Sequence, residues 1–217
     1  VHAIAIASDE SAVLHSVVDF HQEAADQLAK KYNAITLKLD EAFNNKEIDA
    51  FIIASSTPTH ADLIEQCARI GKPVFCEKPI DLSLDRALSC AKAVEESGIV
   101  CMLGFNRRFD PHMASLKSKV DKNLIGSVQS LTITSHDPEP PSMDYIASSG
   151  GLFHDMMIHD FDMACWILND TPRSIYVAAS AENEGIASHG DVDTASVILT
   201  MKGGAIVTII NGRQAAF

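Results

Sequence analysis

Across residues 13–104 short apolar runs alternate with helical stretches, and that alternation constrains the fold more than any other feature of the chain. Antiparallel neighbours need only a tight turn, whereas consecutive parallel strands need a crossover, usually a helix. Strands and helices in strict alternation therefore specify a doubly wound, parallel α/β sheet. The strand-like runs are residues 13–18, 35–39, 49–54, 73–76 and 99–104; the helical stretches are 22–32, a short one from Asp40, 59–70 and 83–97. Residues 49–54 form the continuous apolar run expected of a strand buried on both faces. Thr59 is placed to cap the helix that follows it. Residues 1–8 read as the tail of a helix.

From about Asn106 the pattern changes. A helix over 111–122 leads to a long strand over 127–135, then to a loop holding Pro138, Pro140 and Pro141. A helix follows Gly150-Gly151 and runs to about Leu168, after which only strand-like runs remain, over 174–182, 193–201 and 205–211. Lys202-Gly203-Gly204 reads as the hairpin turn between the last two. This half is an α+β domain with an open, mostly antiparallel sheet. The domains are expected at 1–105 and 106–217.

A formal net charge of -12 argues against a nucleic-acid or anionic membrane partner, which would call for a basic patch, so a small molecule is the better ligand. The five cysteines are odd in number and contain no C-x-x-C pair, as in reduced thiols of an intracellular protein. No apolar run reaches the ~18 residues of a membrane span and no basic segment precedes an apolar one, so a cytoplasmic location is expected.

Ligands of parallel sheets bind outside the carboxyl ends of the strands. Asp19 ends a strand where a dinucleotide fold places the acid that binds the adenosine ribose. Counting back about 20 residues puts the glycine-rich phosphate loop before Val1, and the chain contains no G-x-G-x-x-G. The first strand and loop are therefore expected upstream. Asp19 can equally cap the next helix, with Gln22 completing a capping-box-like pair. An acid without a neighbouring arginine favours NAD over NADP. Ser55 to His60 and Glu77-Lys78-Pro79 also sit at strand ends, and the Lys78 ammonium could stabilise a developing alkoxide. On the later helix Asp155 and His159, four apart, would share one face, so that a carboxylate could orient an imidazole for proton transfer. The same pair also suits a surface ion pair. Asp162 could reach His159, and His154, Asp155, His159 and Asp162 are of types that bind zinc or manganese, although His154 and Asp155 point apart on a helix. No metal is expected.

Glu77-Lys78-Pro79, then Gly104-Phe105-Asn106-Arg107-Arg108-Phe109-Asp110-Pro111, then the stretch from Gly150 to Asp162 together resemble the glucose-fructose oxidoreductase / inositol dehydrogenase / rhizopine-catabolism family, and within it the NAD-dependent inositol 2-dehydrogenases. The resemblance covers essentially the whole chain. It implies a Rossmann domain, here without its first strand and glycine loop, followed by an α/β domain whose open sheet makes oligomer contacts. It also implies a catalytic trio of Lys78, Asp155 and His159, and cofactor contacts from Asp19, Ser55, Thr57, Pro58, His60, Glu77, Lys78 and Pro79. Arg107 and Asp137 would lie near the substrate with Asp155 and His159, although His136 stands where the family often has arginine. The implied reaction is NAD-dependent oxidation of a ring hydroxyl of a polyol, myo-inositol to 2-keto-myo-inositol (scyllo-inosose), by a homodimer or homotetramer. Another sugar or polyol substrate with NAD(P), or a non-catalytic NAD-binding sensor of the same fold, is the alternative.

Overall fold

A computed structural model describes residues 1–215 and divides into two compact units, one of Val1–Cys76 with Ser83–Met102, the other of Glu77–Leu82 with the chain from Leu103 onward.

In the first unit a short helix α1 (His2–Ala7) precedes β1 (Ser16–Val17), α2 (Gln22–Tyr32), β2 (Ile35–Thr36) and α3 (Leu39–Asn44). β1 and β2 pair in parallel, Ser16 opposite Ile35, with α2 as the crossover. That helix buries Ala25 and Ala29, one turn apart, and ends on Asn33 in the left-handed conformation, φ 54. β3 (Phe51–Ile53), β4 (Val74–Cys76) and β5 (Cys101–Leu103) form a second sheet in that order, with β3 and β4 parallel. α4 (His60–Arg69) and α5 (Leu84–Ser97) are the crossovers. α4 buries Ala61, Ile64, Cys67 and Ala68, a period that only a helix can present to one side. Ser83 caps α5 by accepting from the Arg86 N–H at 3.4 Å, and Gly98 ends it at φ 70.

Two expectations for this unit need correcting. Thr59 does not cap α4: residues 57–59 wind into a 3-10 turn, and the Thr59 hydroxyl bonds back to the Ser56 carbonyl at 2.8 Å and the Ser55 hydroxyl at 2.6 Å. β3 is not buried on both faces, since Ile53 is 6% exposed but Ile52 is 44% exposed. A continuous apolar run marks a strand without saying how well each face is covered.

In the second unit a 3-10 turn over Asn106–Phe109 leads to α6 (Pro111–Asp121). Proline opens this helix and the Asp110 carboxylate accepts from the N–H groups of His112 and Met113 at 2.9 and 3.1 Å. β6 (Ser130–His136), α7 (Met143–Ser149), a π-helical turn over Phe153–Met157 and α8 (Ile158–Leu168) follow, then β7 (Pro172–Ser180), α9 (Glu184–Ser188), β8 (Thr194–Met201) and β9 (Ile206–Gly212). The sheet order is β6-β9-β8-β7, with β6 parallel to β9 and the other pairs antiparallel, so the sheet is mixed. Lys202-Gly203-Gly204 turns the β8–β9 hairpin, with Gly204 at φ 96. Alternation decides the two faces. Ala195, Val197, Leu199, Met201, Val207 and Ile209 are buried with Leu152, Met157 and Ala164, each large side chain contributing about 1.5–3 kcal/mol. Tyr176, Ile198 and Ile206 lie on the other face, 68%, 44% and 50% exposed.

α7 and α9 lie where the sequence suggested no regular element, α7 in the loop before Gly150 and α9 between the expected strands 174–182 and 193–201. Both are too short to show a period, and local caps hold them: Ser142 accepts from the Tyr145 N–H, Asn183 from those of Gly185 and Ile186. The helix after Gly150-Gly151 is also not one continuous α-helix, because its first turn is π-helical. No helix among the described residues is long and apolar enough to cross a membrane.

Candidate active site

The π-helical turn positions the centre of the second unit. Gly150 and Gly151 start it at φ 81 and 79, where a side chain would be strained. A Cβ on Gly151 would also stand 2.5 Å from Asp191 Oδ1, the oxygen that accepts the Leu152 N–H at 2.9 Å. π-turns occur often at functional sites, because their i→i+5 bonds change the register of the side chains that follow.

Asp155 lies in this turn. Lys78, joined to Pro79 by a cis peptide bond, donates to the Asp155 carbonyl at 2.7 Å and to Asp155 Oδ1 at 3.1 Å. Tyr145 donates its hydroxyl to the same Oδ1 at 2.8 Å, and Arg213 Nη1 donates to Oδ2 at 3.3 Å. Burial alone would raise the Asp155 pKa. The Tyr145 hydroxyl, then Lys78 and Arg213, outweigh burial and hold it below the usual value. Burial, with the Asp155 charge and hydrogen bond, pushes the Tyr145 phenol up to about 12, so it stays a donor.

His159 is the second residue of α8. Burial, with Lys78 and Arg107 nearby, lowers its pKa against the opposing pull of Asp160 and Asp155. Its ring is therefore neutral near neutral pH, and its Nδ1 is buried with no hydrogen-bond partner among the described residues. An orienting bond from Asp155 to this imidazole is not present among the described residues: the carboxylate is engaged by Lys78, Tyr145 and Arg213. The Phe105 ring meets the imidazole edge-on at 6.2 Å.

Arg107 is anchored by Asp160 and also reaches Ser135 Oγ at 3.2 Å. Asp160 is fully buried and accepts further bonds from Ser135 Oγ at 2.9 Å and Asn211 Nδ2 at 2.8 Å. Asp162 is committed to Arg108 in a two-pronged ion pair, with Nε at 2.8 Å, and does not serve His159. His154 turns its Nδ1 to the Gly150 carbonyl at 2.9 Å, away from any shared metal position. Asp137 is half-buried beside β9, its N–H on the Gly212 carbonyl at 2.9 Å.

Glu77 packs so closely on Gly104 that a Cβ there would lie 2.6 Å from its Oε2. Pro79 is buried.

In the first unit, Asp19 is exposed just after β1, and its Oδ1 accepts the His21 N–H at 2.8 Å. Ser55, Thr57 and Pro58 are exposed or half-exposed at the carboxyl end of β3. His60 is buried, with Nε2 3.0 Å from the Ser55 carbonyl, so its ring braces that turn. A carboxylate and hydroxyls at the carboxyl ends of parallel strands fit the ribose and flanks of a dinucleotide. A glycine-rich pyrophosphate cradle is not among the described residues.

Sequence reasoning missed Tyr145, Asp160 and Arg213. Asp160 carried a signal, because it falls on the buried period of Met156, Met163 and Ile167. A polar residue at an apolar position is usually held by a buried partner. Tyr145 and Arg213 follow no local pattern; tertiary folding alone brings them to Asp155.

Comparison with known proteins gives one consistent answer. Residues 1–105 match the family model described as "Oxidoreductase family, NAD-binding Rossmann fold", and residues 113–217 match the GFO/IDH/MocA C-terminal domain. The chain is 44% identical over its full length to the inositol 2-dehydrogenase of Rhizobium meliloti, of which it spans 66%. A myo-inositol dehydrogenase structure from Corynebacterium glutamicum superposes with a TM-score of 0.93 at 37% identity, over 99% of this chain and 65% of that one. A scyllo-inositol dehydrogenase from Lactobacillus casei, solved with NAD(H) and scyllo-inositol, superposes with a TM-score of 0.87 at 27% identity, over 99% of this chain and 66% of that one. The chain belongs to the GFO/IDH/MocA family of oxidoreductases.

Proposed function

We propose that the protein is an NAD-dependent dehydrogenase that oxidises a ring hydroxyl of a cyclic polyol, with myo-inositol as substrate and 2-keto-myo-inositol as product. The observation that supports this most is the pairing of the Lys78 ammonium with Asp155 Oδ1 at 3.1 Å, together with the half-buried His159 ring, whose Nδ1 is buried and lacks a partner among the described residues. The chemistry that bound NAD would supply is acceptance of the hydride from the ring carbon. Asp19, Ser55, Thr57 and Pro58 hold the cofactor in this reading, and Glu77, Lys78 and Pro79 complete its contacts.

Alcohol oxidation also releases the hydroxyl proton. His159, kept neutral by its surroundings, takes it as general base. An ammonium has three N–H groups; two of Lys78's point at Asp155, and the third is available to the hydroxyl oxygen as it gains charge. Asp155 positions Lys78 in this mechanism, and does not orient the imidazole. Arg107, anchored by Asp160, and Asp137 bind substrate hydroxyls. Relatives named as inositol 2-dehydrogenases support the substrate class. The protein is further proposed to act in the cytoplasm as a homodimer or homotetramer.

The test is NADH formation by the full-length protein with myo-inositol, scyllo-inositol, glucose and a sugar phosphate. Strong turnover of an inositol is expected. NAD binding without turnover of any polyol would favour a sensor of the same fold.

A further inference from the structure

Arg213 is fully buried, and neither the family's site pattern nor the mechanism above uses it. Its Nη1 donates to Asp155 Oδ2 at 3.3 Å, and its Nη2 pairs with Asp191 Oδ2 at 3.4 Å. Asp191 is also the residue that accepts the Leu152 N–H at the start of the π-turn. One guanidinium thus joins the carboxylate inside the turn to the carboxylate that anchors the turn's beginning. The Arg213 N–H donates to the Asp193 carbonyl at 2.7 Å, which fixes its backbone just after β9. Its Nε and Nη2 have no hydrogen-bond partner among the described residues. A buried guanidinium so sparsely bonded contributes little to stability by itself, since its desolvation is only partly offset. Its position is better explained by what it does to its neighbour.

We infer that Arg213 is a positioning residue for the proposed reaction: it pins Asp155 Oδ2, so that Oδ1 remains a charged acceptor directed at Lys78 and Tyr145. Resting on that reading, the inference adds a cation that holds the acid which holds the catalytic lysine. The charged and titratable groups around Asp155 are Lys78, Tyr145, Arg213 and His159. Of these, Lys78 is proposed to meet substrate, whereas Arg213 is bonded, among the described residues, to Asp155, to Asp191 and through its N–H to the Asp193 carbonyl. Lysine in its place would keep the charge but could not reach both carboxylates with a planar fork.

The test follows the Asp155 carboxyl by carbon NMR over a pH titration in the full-length protein, assigned by its loss in Asp155→Asn. Arg213→Met should raise its titration midpoint by roughly one unit or more, and Arg213→Lys should restore most of that shift. Should Arg213→Met not fold, Arg213→Gln loses the charge while keeping an amide donor and carries the same expectation. An unchanged Asp155 midpoint in a folded, uncharged variant would overturn the inference, because a merely structural arginine would lower thermal stability and leave the titration alone. A second readout is kcat with an inositol, expected to fall at least about tenfold in Arg213→Met with NAD affinity unchanged. If the wild-type protein oxidises no polyol, the proposed function fails, while the carboxyl titration still decides the role of Arg213.

Discussion

At the residue scale, chemistry follows from which partner each side chain has. Among the described residues, the Asp155 carboxylate has three and His159 Nδ1 has none, and that asymmetry divides their work. Changing His159 to Ala should lower kcat by about 10²- to 10⁴-fold and leave NAD affinity unchanged, as steady-state kinetics with an equilibrium binding titration would show. An unaltered kcat would remove His159 from proton transfer. Because its pKa lies below 6.5, the acid limb of kcat/KM should also fall below that value. Asp160 makes a different prediction. Replacing it with Ala strands Arg107, Ser135 and Asn211, and should cost about 3–5 kcal/mol in chemical denaturation, the range for a broken buried pair. A loss under 1 kcal/mol would show that water replaces the carboxylate easily.

At the scale of elements, the sequence was most legible where a period runs long. α2 has the bounds that its apolar spacing suggests, and α5 ends where serine and glycine should cap it. Strands were found but shortened: the run over 13–18 narrows to Ser16–Val17, because only those residues find a ladder partner. The π-turn was invisible, since the residues 153–157 suit an ordinary α-helix and the register change depends on Gly150-Gly151 and Asp191. For the same reason the site was only half legible. Lys78, Asp155 and His159 could be named from motifs, but the assumed Asp155–His159 bond came from α-helical geometry that this turn lacks. Gly151→Ala should therefore destabilise the unit by about 1–2 kcal/mol from the left-handed backbone alone, with more from the Asp191 contact. A melting curve indistinguishable from wild type would show that the turn tolerates a side chain.

At the scale of the whole molecule, acid should weaken the fold in two stages. His159 is held below 6.5, so as pH falls past that value the unfolded chain takes up a proton that the folded one resists, and stability declines. Asp155 is held below 3.8, so the stability from its ion pairs is present above that value and lost as pH falls through its lowered pKa. Thermal unfolding across pH should fall on the acid side of about 6.5 and fall again below about 4. The sheet face bearing Tyr176, Ile198 and Ile206 leaves large apolar side chains exposed; if the proposed oligomer covers it, light scattering should give the mass of a dimer or tetramer, and a monomer mass would contradict that proposal. The central claim is hydride removal from a ring carbon of a polyol, and its most direct test is myo-inositol deuterated at C2, incubated with NAD and the full-length protein. The expected result is deuterium in the reduced cofactor, a slower reaction than with protium, and a rate about 10²- to 10⁴-fold lower in His159→Ala. NADH formed without deuterium, or no NADH with any inositol, would contradict it.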